Sequence, residues 1–251
     1  MHWVIQDDLH PEVGLLQLGG VLSRLEIPHS FHQVPPGEGR LEPELSPEGR
    51  VFVVGGYTLA RMAQERGWVP GSLPVPGFRE CLEEWGDDML NAPAGVTTTR
   101  AAAVLASQGS MIPNGPFFCR PLEDSKKFTG RIFYSWDEFI AWECRRPAVL
   151  CMFAPLCEIY RESRVWIVRD QVVTASTYKE GKQVIYDPLV SNDVLSYAQE
   201  RASEWSPADA YVMDIAETPR GLKIVEINNI NAAGLYAANI GKLVMALEEG
   251  L

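Results

Sequence analysis

The sequence predicts a mixed α/β (α+β) chain, with a small N-terminal α/β domain over residues 1–90 and a larger part over residues 91–251 built on antiparallel sheets. Three observations carry that expectation. Val51-Phe52-Val53-Val54 is a continuous apolar run, as in a strand covered on both faces, and it ends in Gly55-Gly56 before a helical pattern. Strand, glycine turn and helix make the βα unit of a parallel sheet. Farther along, paired strand patterns are separated by short turn sequences, Asp170-Gln171 and Thr218-Pro219-Arg220-Gly221, which is how antiparallel hairpins read. Between these regions, Ser135-Trp136-Asp137-Glu138 is a capping box, with Ser at the N-cap and Glu three residues on, and it follows two strand patterns.

Element by element, residues 3–6 form a short apolar strand. Val13, Leu16, Val21, Leu22 and Leu25 then recur at helical spacing. Residues 30–34 read as a second strand, and residues 35–50, rich in Pro, Gly and Glu, as a surface loop. A helix follows the glycine turn over about residues 58–66. Past a proline-rich stretch, helical patterns cover residues 78–85 and 98–107. Two strands at 117–120 and 131–134, with the capped helix carrying Phe139, Ile140 and Trp142, make a lid-like unit at about residues 115–147. In the last part, about residues 148–251, strands are expected at 148–153, 164–168, 172–178, 210–215 and 222–227. Helices are expected at 193–203 and around Ile240, Leu243, Val244 and Leu247.

Composition narrows the function classes. With 251 residues and 46% hydrophobic side chains, the chain has ample apolar surface for a core. A net charge of -11 argues against a broad nucleic-acid-binding face, which needs clustered Lys and Arg. The start turns acidic at Asp7-Asp8 before any leader-like apolar stretch develops. The longest apolar run, residues 148–157, is far short of the ~20 residues that span a bilayer, so no membrane is expected. Cys81, Cys119, Cys144, Cys151 and Cys157 show no paired spacing and read as free thiols in a reducing cytoplasm. All four histidines, His2, His10, His29 and His32, precede residue 90, which excludes a Ser-His-Asp machine from the C-terminal part.

The residues with chemistry cluster near the last hairpin. On alternating strands Val212 and Asp214 share one face, and Ile224, Glu226 and Asn228 another. Pairing the strands about Arg220 brings Asp214 opposite Glu226, where two like charges among Val, Met and Ile need a cation. Two carboxylates and an amide carbonyl are hard oxygen ligands and suit Mg²⁺, whereas zinc would want His or Cys. The alternatives are a solvated pair of acids on a sheet edge and a general acid–base pair of the glycosidase kind.

The same residues carry a resemblance. Asp214 on one strand, then Glu226-Ile227-Asn228 at the end of the next and a small-residue loop, resemble the magnesium signature of the ATP-grasp superfamily. Phe118-Cys119-Arg120-Pro121 is similar to its phosphate-binding strand and Ser125-Lys126-Lys127-Phe128-Thr129-Gly130 to its lid loop. Glu162-Ser163-Arg164 is similar to the Glu-x-Arg strand after the adenine hinge. The ordered match covers residues 110–251. It is closest to a divergent bacterial and phage clade, related to the eukaryotic cell-division-cycle protein that assembles a translation initiation factor.

The resemblance implies a pre-ATP-grasp domain before a two-part ATP-grasp domain, with ATP and Mg²⁺ as cofactors. It implies that Arg120 meets the α/β-phosphates, that Lys126 and Lys127 close over them, and that Phe153, Ala154 and Pro155 take the adenine edge through main-chain groups. Glu162 would accept the ribose hydroxyls and Arg164 would address the γ-phosphate or the incoming carboxylate. Asp214, Glu226 and Asn228 would hold Mg²⁺. Arg120 and Arg164 are then the catalytic pair of an ADP-forming ligase. Its substrate would be a small-molecule, peptide or protein carboxylate. The other reading is a MgATP-binding assembly factor for a protein partner.

Overall fold

The computed structural model describes residues 1–8, 13–35, 39–109, 115–122 and 128–251. Two compact units divide the chain. The first takes residues 1–75, 161–215 and 227–251; the second takes residues 76–160 and 216–226.

The first unit begins with β1 (His2–Gln6), α1 (Val13–Arg24), β2 (His29–His32), β3 (Val51–Val54), α2 (Tyr57–Glu65) and β4 (Pro70–Gly71). These strands form a parallel sheet in the order β2-β1-β3-β4. Its central strands are apolar on both faces because both are covered. Trp3, Ile5 and Phe52 join one buried cluster with Leu18 and Leu22 of α1, whereas Val4, Val51 and Val53 join another with Leu59 and Met62 of α2. Strand β2 ends earlier than its composition suggested, because at Gln33 the chain turns into a bridge with Glu42.

The C-terminal contributions to this unit come from β9 (Arg161–Val168), β10 (Gln171–Glu180), β11 (Gln183–Asp187), α6 (Asn192–Glu204) and α7 (Ile240–Gly250). They also include most of β12 (Ala210–Thr218) and the end of β13 (Gly221–Asn228). The sheet order is β11-β10-β9-β12-β13. Trp166 and Val168 of β9, Val212 of β12, and Ile240, Leu243, Val244 and Leu247 of α7 share the cluster of Trp3 and Phe52. The β9–β10 hairpin turns at Arg169-Asp170, one residue earlier than expected, with both residues at positive φ (48° and 62°). Such a turn matches the right-handed twist of the strands but is usually signalled by Asn-Gly or Asp-Gly. Here Arg169 is held instead by Asp209 and the carbonyl of Gly250, each at 2.6 Å.

The second unit contains α3 (Phe78–Trp85), β5 (Gly95–Thr98), α4 (Thr99–Ser107), β6 (Phe117–Pro121), β7 (Arg131–Phe133), α5 (Trp136–Glu143) and β8 (Leu150–Pro155). Its sheet runs β5-β8-β6-β7, with all pairs antiparallel. Phe117, Phe133, Phe139 and Phe153 fill its core, and Trp136 stacks on Phe117 at 4.0 Å. The cap of α5 behaves as its sequence predicts on one side: Ser135 Oγ accepts from the Glu138 amide. On the other side the Glu138 carboxylate accepts from the amide of Tyr134, one residue before the cap. The tip of the β12–β13 hairpin also belongs here. Arg220 donates to the carbonyls of Leu90 and Ala92, each at 2.6 Å, and the Leu90 amide donates to Ile224 O at 2.7 Å. Strands β4, β5 and β11 have no counterpart in the sequence reading, because short polar or proline-containing edge strands lack an alternating apolar pattern. Among the described residues no helix is long and apolar enough to cross a membrane.

Candidate functional site

Strand β9 sends Glu162 and Arg164 to one face, as alternation requires, and both are buried. They do not pair with each other; each has partners of its own. Arg164 grips Asp214 of β12 as a fork, Nε to Oδ1 and Nη2 to Oδ2, each at 2.8 Å. Asn228 Nδ2 donates to the same Oδ2 at 3.1 Å, and Arg164 Nη1 reaches the Gly234 carbonyl at 3.4 Å. Asp214 is 1% exposed and Arg164 8%. The cation demanded by a buried Asp214 is therefore, in this structure, Arg164.

Aromatic rings complete the cluster. The Arg164 guanidinium carbon lies 4.7 Å from the ring centre of Tyr236 and 5.5 Å from that of Tyr178. The two rings stack on each other at 5.2 Å, and Tyr186 stacks on Tyr236 at 5.3 Å. An aromatic face attracts a cation through its quadrupole, more strongly when water is excluded. Burial acts against the charge on Arg164, but the hydrogen bonds and charge of Asp214 outweigh it and hold the guanidinium's pKa above its ordinary value. Burial, reinforced by the carboxylates of Asp214 and Glu162, pushes the Tyr178 phenol up as well. Its proton is therefore retained and donated to Glu162 Oε2 at 2.7 Å; Lys179 Nζ pairs with Glu162 Oε1.

In the second unit, Arg120 occupies an intermediate position on β6 between buried Cys119 and Pro121. Its guanidinium sits 4.7 Å from the ring centre of Phe78 and 3.8 Å from the Glu226 carboxylate. Phe153 and Ala154 are buried in β8, Phe153 within the aromatic core; Pro155 at the strand end is exposed. Lys126 and Lys127 lie outside the described residues. A Cβ at Gly130 would run into the far edge of the Phe118 ring, which would have to turn aside, and would lie 3.5 Å from Arg120 Cβ.

The sequence reading missed how the loop after β13 is anchored. Asn231, 1% exposed, donates to Val53 O (2.7 Å) and Gly71 O (3.2 Å) and accepts from the Leu73 amide (2.8 Å). Its own carbonyl accepts from the Gly55 amide at 2.8 Å. Asn229 adds bonds to Leu73 O and Ser72 Oγ. The carboxyl ends of β3 and β4, where open parallel sheets commonly receive ligands, are thus joined to the segment that carries Asn228. The run Glu226-Ile227-Asn228-Asn229-Ile230-Asn231 was the available signal, since its second and third Asn fall beyond the strand.

Among the described residues no group of three His, Cys, Asp or Glu side chains is placed to hold a metal. Asp214 and Asn228, a carboxylate and an amide brought together at 3.1 Å within the first unit, offer oxygen ligands of the kind Mg²⁺ takes; that ion usually binds through one or two carboxylates and completes its shell with water and phosphate oxygens.

A family model for an ATP-grasp domain, the third family of its clade, matches residues 77–247. The chain belongs to that family. No curated protein matches this ATP-grasp chain in sequence. Solved structures agree on the fold. The chain resembles a RimK-domain ATP-grasp protein from Sphaerobacter thermophilus (TM-score 0.63, 14% identity, 98% of this chain and 100% of that one). It is similar to the D-alanine–D-alanine ligase of Bacillus anthracis (TM-score 0.60, 11% identity, 98% and 92%). It is also similar to the ATP-grasp ligase PsnB complexed with minimal precursor, Mg and ADP (TM-score 0.56, 15% identity, 99% and 97%). At such identities the likeness is one of fold.

Proposed function

We propose that this ATP-grasp chain binds MgATP and ligates a carboxylate to an amine or similar nucleophile, releasing ADP. The observation that carries the reading is that the family match spans the residues that bring Arg164, Asp214 and Asn228 together in a buried cluster. In this reaction a carboxylate oxygen attacks the γ-phosphorus, the bond to ADP breaks, and an acyl phosphate forms. The nucleophile then adds to the acyl carbon and phosphate leaves. No protein nucleophile is needed, so catalysis rests on positioning and on charge stabilisation. Bound Mg²⁺ would neutralise phosphate charge.

The roles follow the family's order of motifs. Arg120, with its guanidinium fork, would meet the α/β-phosphates, and Lys126 and Lys127 would add charge from the lid loop. Main-chain groups of Phe153, Ala154 and Pro155 would read adenine, and Glu162 would take the ribose hydroxyls. Asp214, Glu226 and Asn228 would ligate Mg²⁺. Arg164 would stabilise the transferring phosphoryl group. Residues 1–90 would form the pre-ATP-grasp domain, and the protein would act in the cytoplasm on a small-molecule, peptide or protein carboxylate.

Calorimetry with MgATP, followed by a screen for ADP release against amino acids and peptides, tests the proposal. Absence of MgATP binding refutes it. Binding without carboxylate-dependent ADP release favours an assembly factor, the role implied by the resemblance to the cell-division-cycle protein.

A further inference from the structure

Asp214 is buried, both of its oxygens accept from Arg164, and one also accepts from Asn228. A guanidinium forked onto a carboxylate occupies directions that a divalent cation would need, and it cancels the charge that would attract one. Arg164 is itself bracketed by Tyr178 and Tyr236 and tied to Gly234 O, so its position does not depend on Asp214 alone. Those contacts would keep a cation there after the carboxylate had changed partner.

We propose that Arg164 is a placeholder cation: it occupies the Asp214 carboxylate when no nucleotide is bound and excludes a free divalent ion. It yields the carboxylate only when an anionic phosphate arrives as its own new partner. The inference rests on the reading of Asp214 as a metal ligand, and it makes metal and nucleotide binding interdependent. A free metal ion would meet an already neutralised carboxylate beside a fixed positive charge, and at contact distances in a partly desolvated site that repulsion is large. Metal-free nucleotide would meet Arg164 still engaged with Asp214. Only the metal–nucleotide complex supplies both replacement partners at once.

The test uses Mn²⁺ as the probe, with binding read by calorimetry and by the shift of the thermal melt. Wild type should show no response to Mn²⁺ alone at concentrations where Mn²⁺ with ATP gives saturating binding. Arg164→Gln, which keeps a donor for Asp214 but removes the charge, should bind Mn²⁺ without nucleotide at least about tenfold more tightly than wild type. Arg164→Lys, which keeps a cation, should remain as unresponsive as wild type. If Arg164→Gln is unfolded in chelator, recovery of its cooperative melt on adding Mn²⁺ supports the proposal. Failure to recover, with Arg164→Lys folded and unresponsive, overturns it. A folded Arg164→Gln with no gain in Mn²⁺ binding also overturns it, while MgATP binding by wild type keeps the parent reading intact. If wild type binds neither Mn²⁺ nor Mn²⁺ with ATP, the parent reading has failed instead. Tight binding of free Mn²⁺ by wild type refutes the placeholder role.

Discussion

Replacing Asp214 by Asn isolates the energetics of the buried cluster. Two acids facing each other across a hairpin would be relieved by losing a charge, and such a variant would be as stable as wild type or more so. The structure reverses that expectation. Asp214 receives both limbs of the Arg164 fork at 2.8 Å and the Asn228 amide at 3.1 Å, so Asp214→Asn leaves an uncompensated guanidinium that is only 8% exposed. Removing one partner of a buried pair costs about 3–5 kcal/mol, because the stranded charge stays desolvated. The cation–π contacts to Tyr178 and Tyr236 are present in the wild type too, so they do not offset this loss. For a chain of this size the loss corresponds to a fall in Tm on the order of 10 °C. Melts of Asp214→Asn, Arg164→Met and the double variant without ligand complete a double-mutant cycle. The double variant should be more stable than either single one, since it strands no charge. An Asp214→Asn protein that melts with wild type, or single losses that simply add, would refute the reasoning.

Other outcomes follow from other contacts. Asn231→Ala removes three side-chain hydrogen bonds to Val53, Gly71 and Leu73, so amide exchange should rise at Gly55 and Leu73 and MgATP affinity should fall. A lower Tm with unchanged affinity would make the residue merely structural. Glu162→Gln, which weakens the Lys179 pair, should lower nucleotide affinity more than the rate of ADP release; the reverse pattern would remove Glu162 from the ribose. His2 is held below the ordinary histidine value by burial and by the neighbouring His32 and His29, and it shares Ser30 Oγ with His32. A depressed pKa contributes stability that is complete above the unfolded value of about 6.5 and is lost as pH falls through the folded one. Melts from neutral to about pH 5 should decline less steeply in His2→Gln than in wild type, and equal slopes would contradict this assignment.

Much of the fold was legible from neighbours two to four residues apart. The apolar run 51–54, the glycine turn and the cap at Ser135 depend on local period and local hydrogen bonds, and these elements stand where the pattern put them. The turn at Arg169-Asp170 was misplaced by one residue because its left-handed backbone is held by Asp209 and Gly250, which are remote in sequence. The candidate site divides in the same way. Period-two alternation was enough to single out Glu162, Arg164, Asp214, Glu226 and Asn228, because it depends only on the pleat of each strand. It could not say that Arg164 would meet Asp214 rather than Glu162, that Tyr178 and Tyr236 would bracket it, or that Asn231 would tie the last hairpin to the ends of β3 and β4. The sequence by itself determined which side chains carry charge and share a strand face. Only the tertiary structure decided which charges neutralise one another, because contacts between residues fifty or more positions apart depend on strand order and loop path, and neither leaves a local period in the chain.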